Sequence, residues 1–144
     1  MTDKAKTIGM VIATHRSMGA EMLLAASGIV GDIENATAIS IHYGKSPDEA
    51  RDALIRAVDS VESGAGVMIF TDMFGGTPTN ISLSLIGEKN IEVVTGVSLP
   101  MIIKAHSARK TMELSALAAF IRDYGAKNII VAGELFKCSL KDKN

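Results

Sequence analysis

The amino-acid sequence predicts an α/β fold, a three-layer sandwich in which a mostly parallel sheet of about five strands carries helices on both faces. Three observations lead there. Short, nearly continuous apolar runs such as Ile8 to Ala13 and Gly66 to Thr71 read as strands buried on both sides. Between them lie segments with apolar residues at helical spacing. Those connections are a dozen or more residues long, which is what parallel pairing of successive strands requires.

The elements follow in order. Ile8 to Ala13 is the first strand, and Ser17 is placed to cap a helix over about 18–30 that stops at Gly31. Ala36 to Ile41 is the second strand, followed by a loop through Tyr43, Gly44 and Lys45. Ser46-Pro47-Asp48-Glu49 opens the next helix: a capping hydroxyl, a proline in the first turn and two acids at the positive helix end. Ala50, Leu54, Ala57, Val58 and Val61 continue it to Gly64. Gly66 to Thr71 is the third strand. Thr77-Pro78 then begins a helix reaching about Ile86, with Thr77 as its cap, and Asn90 to Thr95 is the fourth strand. Helices are expected over about 99–108 and 111–124, with Gly125 as the stop of the second. Asn128 to Ala132 reads as a fifth strand before a charged tail.

Composition narrows the function. The chain has 144 residues, which favours one domain able to bury roughly two-thirds of its unfolded surface without disulfides or metal. Fifteen Lys and Arg nearly balance sixteen Asp and Glu, with no basic run, so nucleic acid is not an expected partner. The single Cys138 excludes an internal disulfide and points to a reducing compartment. No stretch approaches the ~20 apolar residues of a membrane span, and the N-terminus lacks a secretory pattern. A cytoplasmic location is expected.

Open parallel sheets bind ligands outside the C-terminal ends of their strands. The residues there are Thr14, His15 and Arg16 after the first strand, His42 after the second, Asp72 and the Gly75-Gly76-Thr77-Pro78 loop after the third, and Gly96 and Ser98 after the fourth. His15 is the candidate nucleophile, because neutral imidazole offers one nucleophilic nitrogen and one N–H. Asp72 is the candidate acceptor for that N–H, fixing the tautomer. An Asp–His pair with no serine nucleophile suits phosphorylation of the histidine itself. Gly75, Gly76 and Thr77 form a turn whose backbone N–H groups can hold an anion. Arg16 is either a phosphoryl contact or a solvated loop residue. His42 reads as a surface histidine and His106 as a structural one within a helix. No metal is expected: His15, His42 and Asp72 share a rim, but nothing in their spacing supports a ligand set.

Three segments carry a family resemblance: Ile12-Ala13-Thr14-His15, Phe70-Thr71-Asp72-Met73-Phe74-Gly75-Gly76-Thr77-Pro78-Thr79-Asn80, and Thr95-Gly96-Val97-Ser98-Leu99-Pro100-Met101. Together they resemble the mannose-family enzyme IIA domain of the phosphoenolpyruvate-dependent sugar phosphotransferase system, from about residue 7 to 135, leaving 136–144 as a tail. The resemblance implies a phosphoryl carrier that takes phosphate from the phosphocarrier HPr on His15 and passes it to a histidine of enzyme IIB, which serves a membrane sugar permease. It implies that Asp72 orients His15 and that Thr77 with the neighbouring backbone contacts the phosphoryl group; the phosphoryl-binding candidates on this sequence are Thr14, Arg16, Gly75, Gly76, Thr77 and Ser98. It implies no cofactor. It also implies a homodimer with the strand at Asn128 to Ala132 exchanged or packed across the interface. Met73, Phe74 and Met101 are expected to form an apolar rim for partners. The residue after the family's histidine is often glycine; here it is Arg16. The donor subunit of dihydroxyacetone kinase is similar in fold, but the Gly75–Pro78 and Leu99–Met101 segments argue against it. A non-catalytic module binding a small anion at Thr77 is the alternative outside phosphotransfer.

Overall fold

The structure is a computed structural model that describes residues 6–42 and 44–141. Tyr43, residues 142–144 and the Cys138 side chain, all touched by the expectations above, lie outside what is described. The elements alternate as β1 (Gly9–His15), α1 (Met18–Val30), β2 (Ala36–Ile41), α2 (Pro47–Val61), β3 (Val67–Thr71), α3 (Thr77–Leu83) and β4 (Ile91–Val94). They end with α4 (Leu99–Ala108), α5 (Leu114–Lys127) and α6 (Ala132–Lys141).

The sheet is parallel throughout, in the order β2-β1-β3-β4. Alternate residues of the central strands feed two separate cores, as a period of two requires. Met10, Ile12, Met68 and Phe70 pack under Ala26 of α1, Met101, Ile102 and Ala105 of α4, and Leu117 and Ile121 of α5. Val11, Ala13, Val67 and Ile69 pack under Ala50, Leu54 and Val58 of α2 and Ile81 of α3. Both faces are covered, which explains why these strands carry no polar alternation. The three-layer α/β architecture is the one the sequence predicts.

Its fifth strand is not. Among the described residues the sheet has four strands, and residues 128–131 belong to no element before α6 begins at Ala132. Ile129, Ile130 and Val131 are 82%, 57% and 63% exposed. A β-branched run becomes a strand only where a ladder receives it, and among the described residues none does.

Smaller corrections concern helix ends. Ser17 occupies the N-cap of α1 without a side-chain bond; Thr14 does that work instead, its Oγ1 accepting from Gly19 N–H at 2.8 Å. Ser46 does cap α2, accepting from Glu49 N–H at 3.2 Å. Gly76, not Thr77, is the N-cap of α3, which ends at Leu83. Gly125 lies buried inside α5, where a Cβ would come 2.6 Å from Met101 Sδ, so it is a packing glycine rather than a stop.

Candidate functional site

The strand order reverses between β1 and β3: β2 lies to one side of β1, and β3 and β4 to the other. Crevices outside the strand ends form at such a point. His15 ends β1, and Asp72 directly follows β3, whose Thr71 pairs with Ala13. The sequence-predicted pair is therefore brought together by ladder register across 57 residues.

The contact is close. His15 Nδ1 lies 2.7 Å from Asp72 Oδ2, and the His15 backbone N–H donates to the same oxygen at 3.0 Å. Burial pushes the Asp72 carboxyl up, but the ring and backbone hydrogen bonds from His15, together with its charge, outweigh that and hold it below the ordinary carboxylate value. An ionised Asp72 accepts only, so Nδ1 carries the hydrogen and the lone pair sits on Nε2. Nε2 lies on the side of the Gly75-Gly76-Thr77 turn: a Cβ at Gly76 would be 2.8 Å from His15 Cε1 and 3.4 Å from Nε2. Gly75 makes the turn with φ +86°, a conformation that only glycine adopts without cost.

That turn is held from below by two residues that the sequence reading passed over. Thr79 Oγ1 lies 2.7 Å from Thr71 Oγ1 and donates to the Met73 carbonyl at 2.5 Å. Both threonines are fully buried. A threonine inside an apolar strand and another in the first turn of a helix were the available signal.

The remaining predicted residues divide. Thr77 is exposed and lines a cavity of about 200 Å³ beside His15, together with Ile41, His42, Lys45 and Pro47. His42 and Lys45 thus join the site from the loop after β2. Thr14 is fully buried beneath it, donating to the Arg16 carbonyl while holding α1. Arg16 is exposed, with φ +51°, in the left-handed region where glycine is at ease. Ser98 follows the Val97 N–H that donates to Thr71 O at 3.0 Å; its hydroxyl is buried and has no hydrogen-bond partner among the described residues, nor has Asp72 Oδ1.

Of the expected apolar rim, Met73 and Phe74 are 53% and 75% exposed. Met101 is a correction: it is buried in the core, because the first turn of α4 faces the sheet and Gly125 of α5. His106 lies within α4, far along the chain from the strand ends. Burial first, then Arg109 and Lys110, push its imidazole down. Larger cavities lie elsewhere: one of about 330 Å³ lined by Asn35, His106 and Arg109, and two more. One of about 750 Å³ is lined by Lys6, Ile8, Asn90, Arg109 and Leu114 at the opposite end of the strands. The other, about 460 Å³, runs along β4 between Leu83 and Ala118. No described helix is long and apolar enough to cross a membrane.

Comparison with known proteins agrees with this fold. The family model described as "PTS system fructose IIA component" matches residues 9–122. An Escherichia coli (strain K12) protein, YadI, named for a phosphotransferase enzyme IIA component, is 30% identical over 124 residues, 85% of this chain and 84% of its own. The PTS system mannose-specific EIIAB component of the same organism is 28% identical over 104 residues, 72% of this chain; that match spans 32% of the longer protein. The crystal structure of phosphotransferase system component EIIA from Streptococcus agalactiae superposes with a TM-score of 0.80 at 27% identity, covering 88% of this chain and 98% of that one.

Proposed function

Because the chain belongs to the family described as PTS system fructose IIA component, and so to the phosphotransferase proteins, we propose that it carries a phosphoryl group on His15. The donor is phospho-HPr and the acceptor a histidine of enzyme IIB, which serves sugar uptake through a membrane permease. The observation that carries this reading is the 2.7 Å contact between His15 Nδ1 and Asp72 Oδ2 at the point where strand order reverses.

The step is an exchange between imidazoles. The Nε2 lone pair of His15 attacks phosphorus, the donor's P–N bond breaks, and its electron pair returns to the donor ring. No proton moves to the product: the hydrogen stays on Nδ1 of His15, donated to Asp72, whose charge balances the ring's growing positive character. Transfer of this kind depends on positioning and charge stabilisation. The backbone of Gly75, Gly76 and Thr77 lies on the Nε2 side, and Arg16 follows His15 in the chain. Met73 and Phe74 offer an exposed apolar surface beside the turn for the partner proteins.

The carrier acts as a homodimer in this reading. β4 is an edge of the described sheet, the 460 Å³ groove runs beside it, and Ile129 to Val131 expose apolar side chains of strand-forming type. A second copy's segment pairing along β4 would satisfy both. Sedimentation of the wild type and of Ile130→Asp tests it: a dimer that becomes a monomer is the expected result.

The deciding experiment for the carrier is incubation with phosphoenolpyruvate, enzyme I and HPr, followed by intact mass. One added phosphate, acid-labile, alkali-stable and absent in His15→Gln, is expected. Folded protein that gains no phosphate beside active HPr would overturn the reading.

A further inference from the structure

We propose that Lys45, with His42 beside it, forms the positive wall against which the phosphoryl group on His15 rests. This depends on the carrier reading above and names the charge partner within that site.

A phosphoryl group brings close to two negative charges and three strong acceptor oxygens. Asp72 already holds a negative charge on the Nδ1 side of the ring. The added group therefore needs cations elsewhere around the imidazole. The cavity of about 200 Å³ that His15 lines has two cationic-type side chains in its wall, Lys45 and His42, and no carboxylate. Its other walls are Ile41, Pro47 and Thr77. No ion pair among the described residues engages Lys45.

The loop is anchored so that it presents these groups. Arg16 N–H donates to the Ile41 carbonyl at 3.3 Å, tying the residue after His15 to the start of the loop. Lys45 N–H donates to the His42 carbonyl at 3.2 Å and closes a turn. Ser46 caps α2 immediately afterwards, with Pro47 at the first helical position. Both ends of a five-residue connection are thus fixed to β1 and α2. An ammonium on a four-carbon stem can then reach the cavity without ordering the rest of the loop.

The test is the equilibrium constant for phosphoryl exchange with phospho-HPr, measured from both directions by intact mass. This readout separates the proposal from a docking role. A docking contact changes forward and reverse rates together and leaves the constant unchanged; a contact to the phosphoryl group shifts it. For Lys45→Gln the constant is expected to fall about fivefold to tenfold, the scale of one partly solvated charge-assisted hydrogen bond. Lys45→Arg should stay within about twofold of wild type, because charge and donors survive. Both substitutions fall at an exposed turn position, and thermal melts like the wild type's are expected. If wild type takes phosphate and K45Q keeps an unchanged constant, this proposal is overturned and the carrier stands. If wild type takes no phosphate, both are overturned.

Discussion

One oxygen of Asp72 receives both N–H groups of His15: the ring Nδ1 at 2.7 Å and the backbone nitrogen at 3.0 Å. The side chain is therefore fixed to the end of β1 at two points, and the imidazole has little freedom to turn its other nitrogen away from the Gly76 side.

Asp72→Asn should remove the charge that fixes the tautomer. Transfer to His15 is expected to slow by on the order of 100-fold, the lower range for a positioned acid–base group, with circular dichroism unchanged. Rapid-quench kinetics with phospho-HPr measures it. The same residue sets an acid sensitivity. Its folded pKa lies below the ordinary value, so its contribution to stability is present above about pH 4 and is lost as pH falls through the depressed value. Between about pH 5 and 3 the urea midpoint of wild type should fall more steeply than that of D72N.

Gly76→Ala is a steric probe of the ring. The φ of Gly76 is −87°, so alanine meets no backbone penalty, but its Cβ would lie 2.8 Å from His15 Cε1. The ring or the turn must shift. A displacement near 1 Å costs on the order of 100-fold in rate, and stability should hardly change. Normal transfer by G76A would show that the turn yields without cost.

Arg109 is a structural counterpart at the other end of the sheet. Only 3% exposed, it donates to the carbonyls of Ile8, Asn35 and Glu34 at 2.9, 3.1 and 2.5 Å. Burial pushes its guanidinium down, partly offset by Glu34. Arg109→Met leaves three carbonyls short of a donor and should cost about 3–5 kcal/mol by urea unfolding. Phosphoryl transfer per folded molecule should be retained.

Arg16→Gly should stabilise. The left-handed φ of +51° costs an L-residue roughly 1–2 kcal/mol, and the extra chain entropy of glycine returns about half of that. A net gain of about 0.5–1 kcal/mol is expected, since the exposed side chain gives up little packing. Equilibrium denaturation decides it; a loss of stability would mean that the Arg16 side chain contributes more than its backbone costs.

The layout of the site was legible because strand-end polar residues in a parallel sheet converge whatever their separation in sequence, and His15 and Asp72 are such residues. Helices at 18–30 and 99–108 were legible from apolar spacing and from glycine or proline at their ends. Other features depend on what the chain meets in three dimensions. Ile129 to Val131 have strand chemistry but no ladder to join. Met101 looked like rim because its segment follows a strand end, yet helical rotation turns it into the core. Ser17 had the right residue type to cap α1, but Thr14, in the preceding strand, already reached that N–H. His42 was legible as a rim residue because it follows the second strand, but Lys45 sits in a loop whose path no periodicity reports. Arg109 gives no sign in sequence that three carbonyls wait for it.

The pairing of Ala13 with Thr71 also has a consequence for synthesis. His15 leaves the ribosome before Asp72, so the oxygen that orients it arrives 57 residues later. Until β3 docks against β1, closing a long loop at an entropic cost, the histidine is an ordinary imidazole on an unfolded chain. On the proposed carrier role, fragments that stop short of residue 72 are expected to take up phosphate poorly, because the carboxylate that holds His15 is missing. The 2.7 Å contact between His15 and Asp72 is itself a report that the two central strands have found their register.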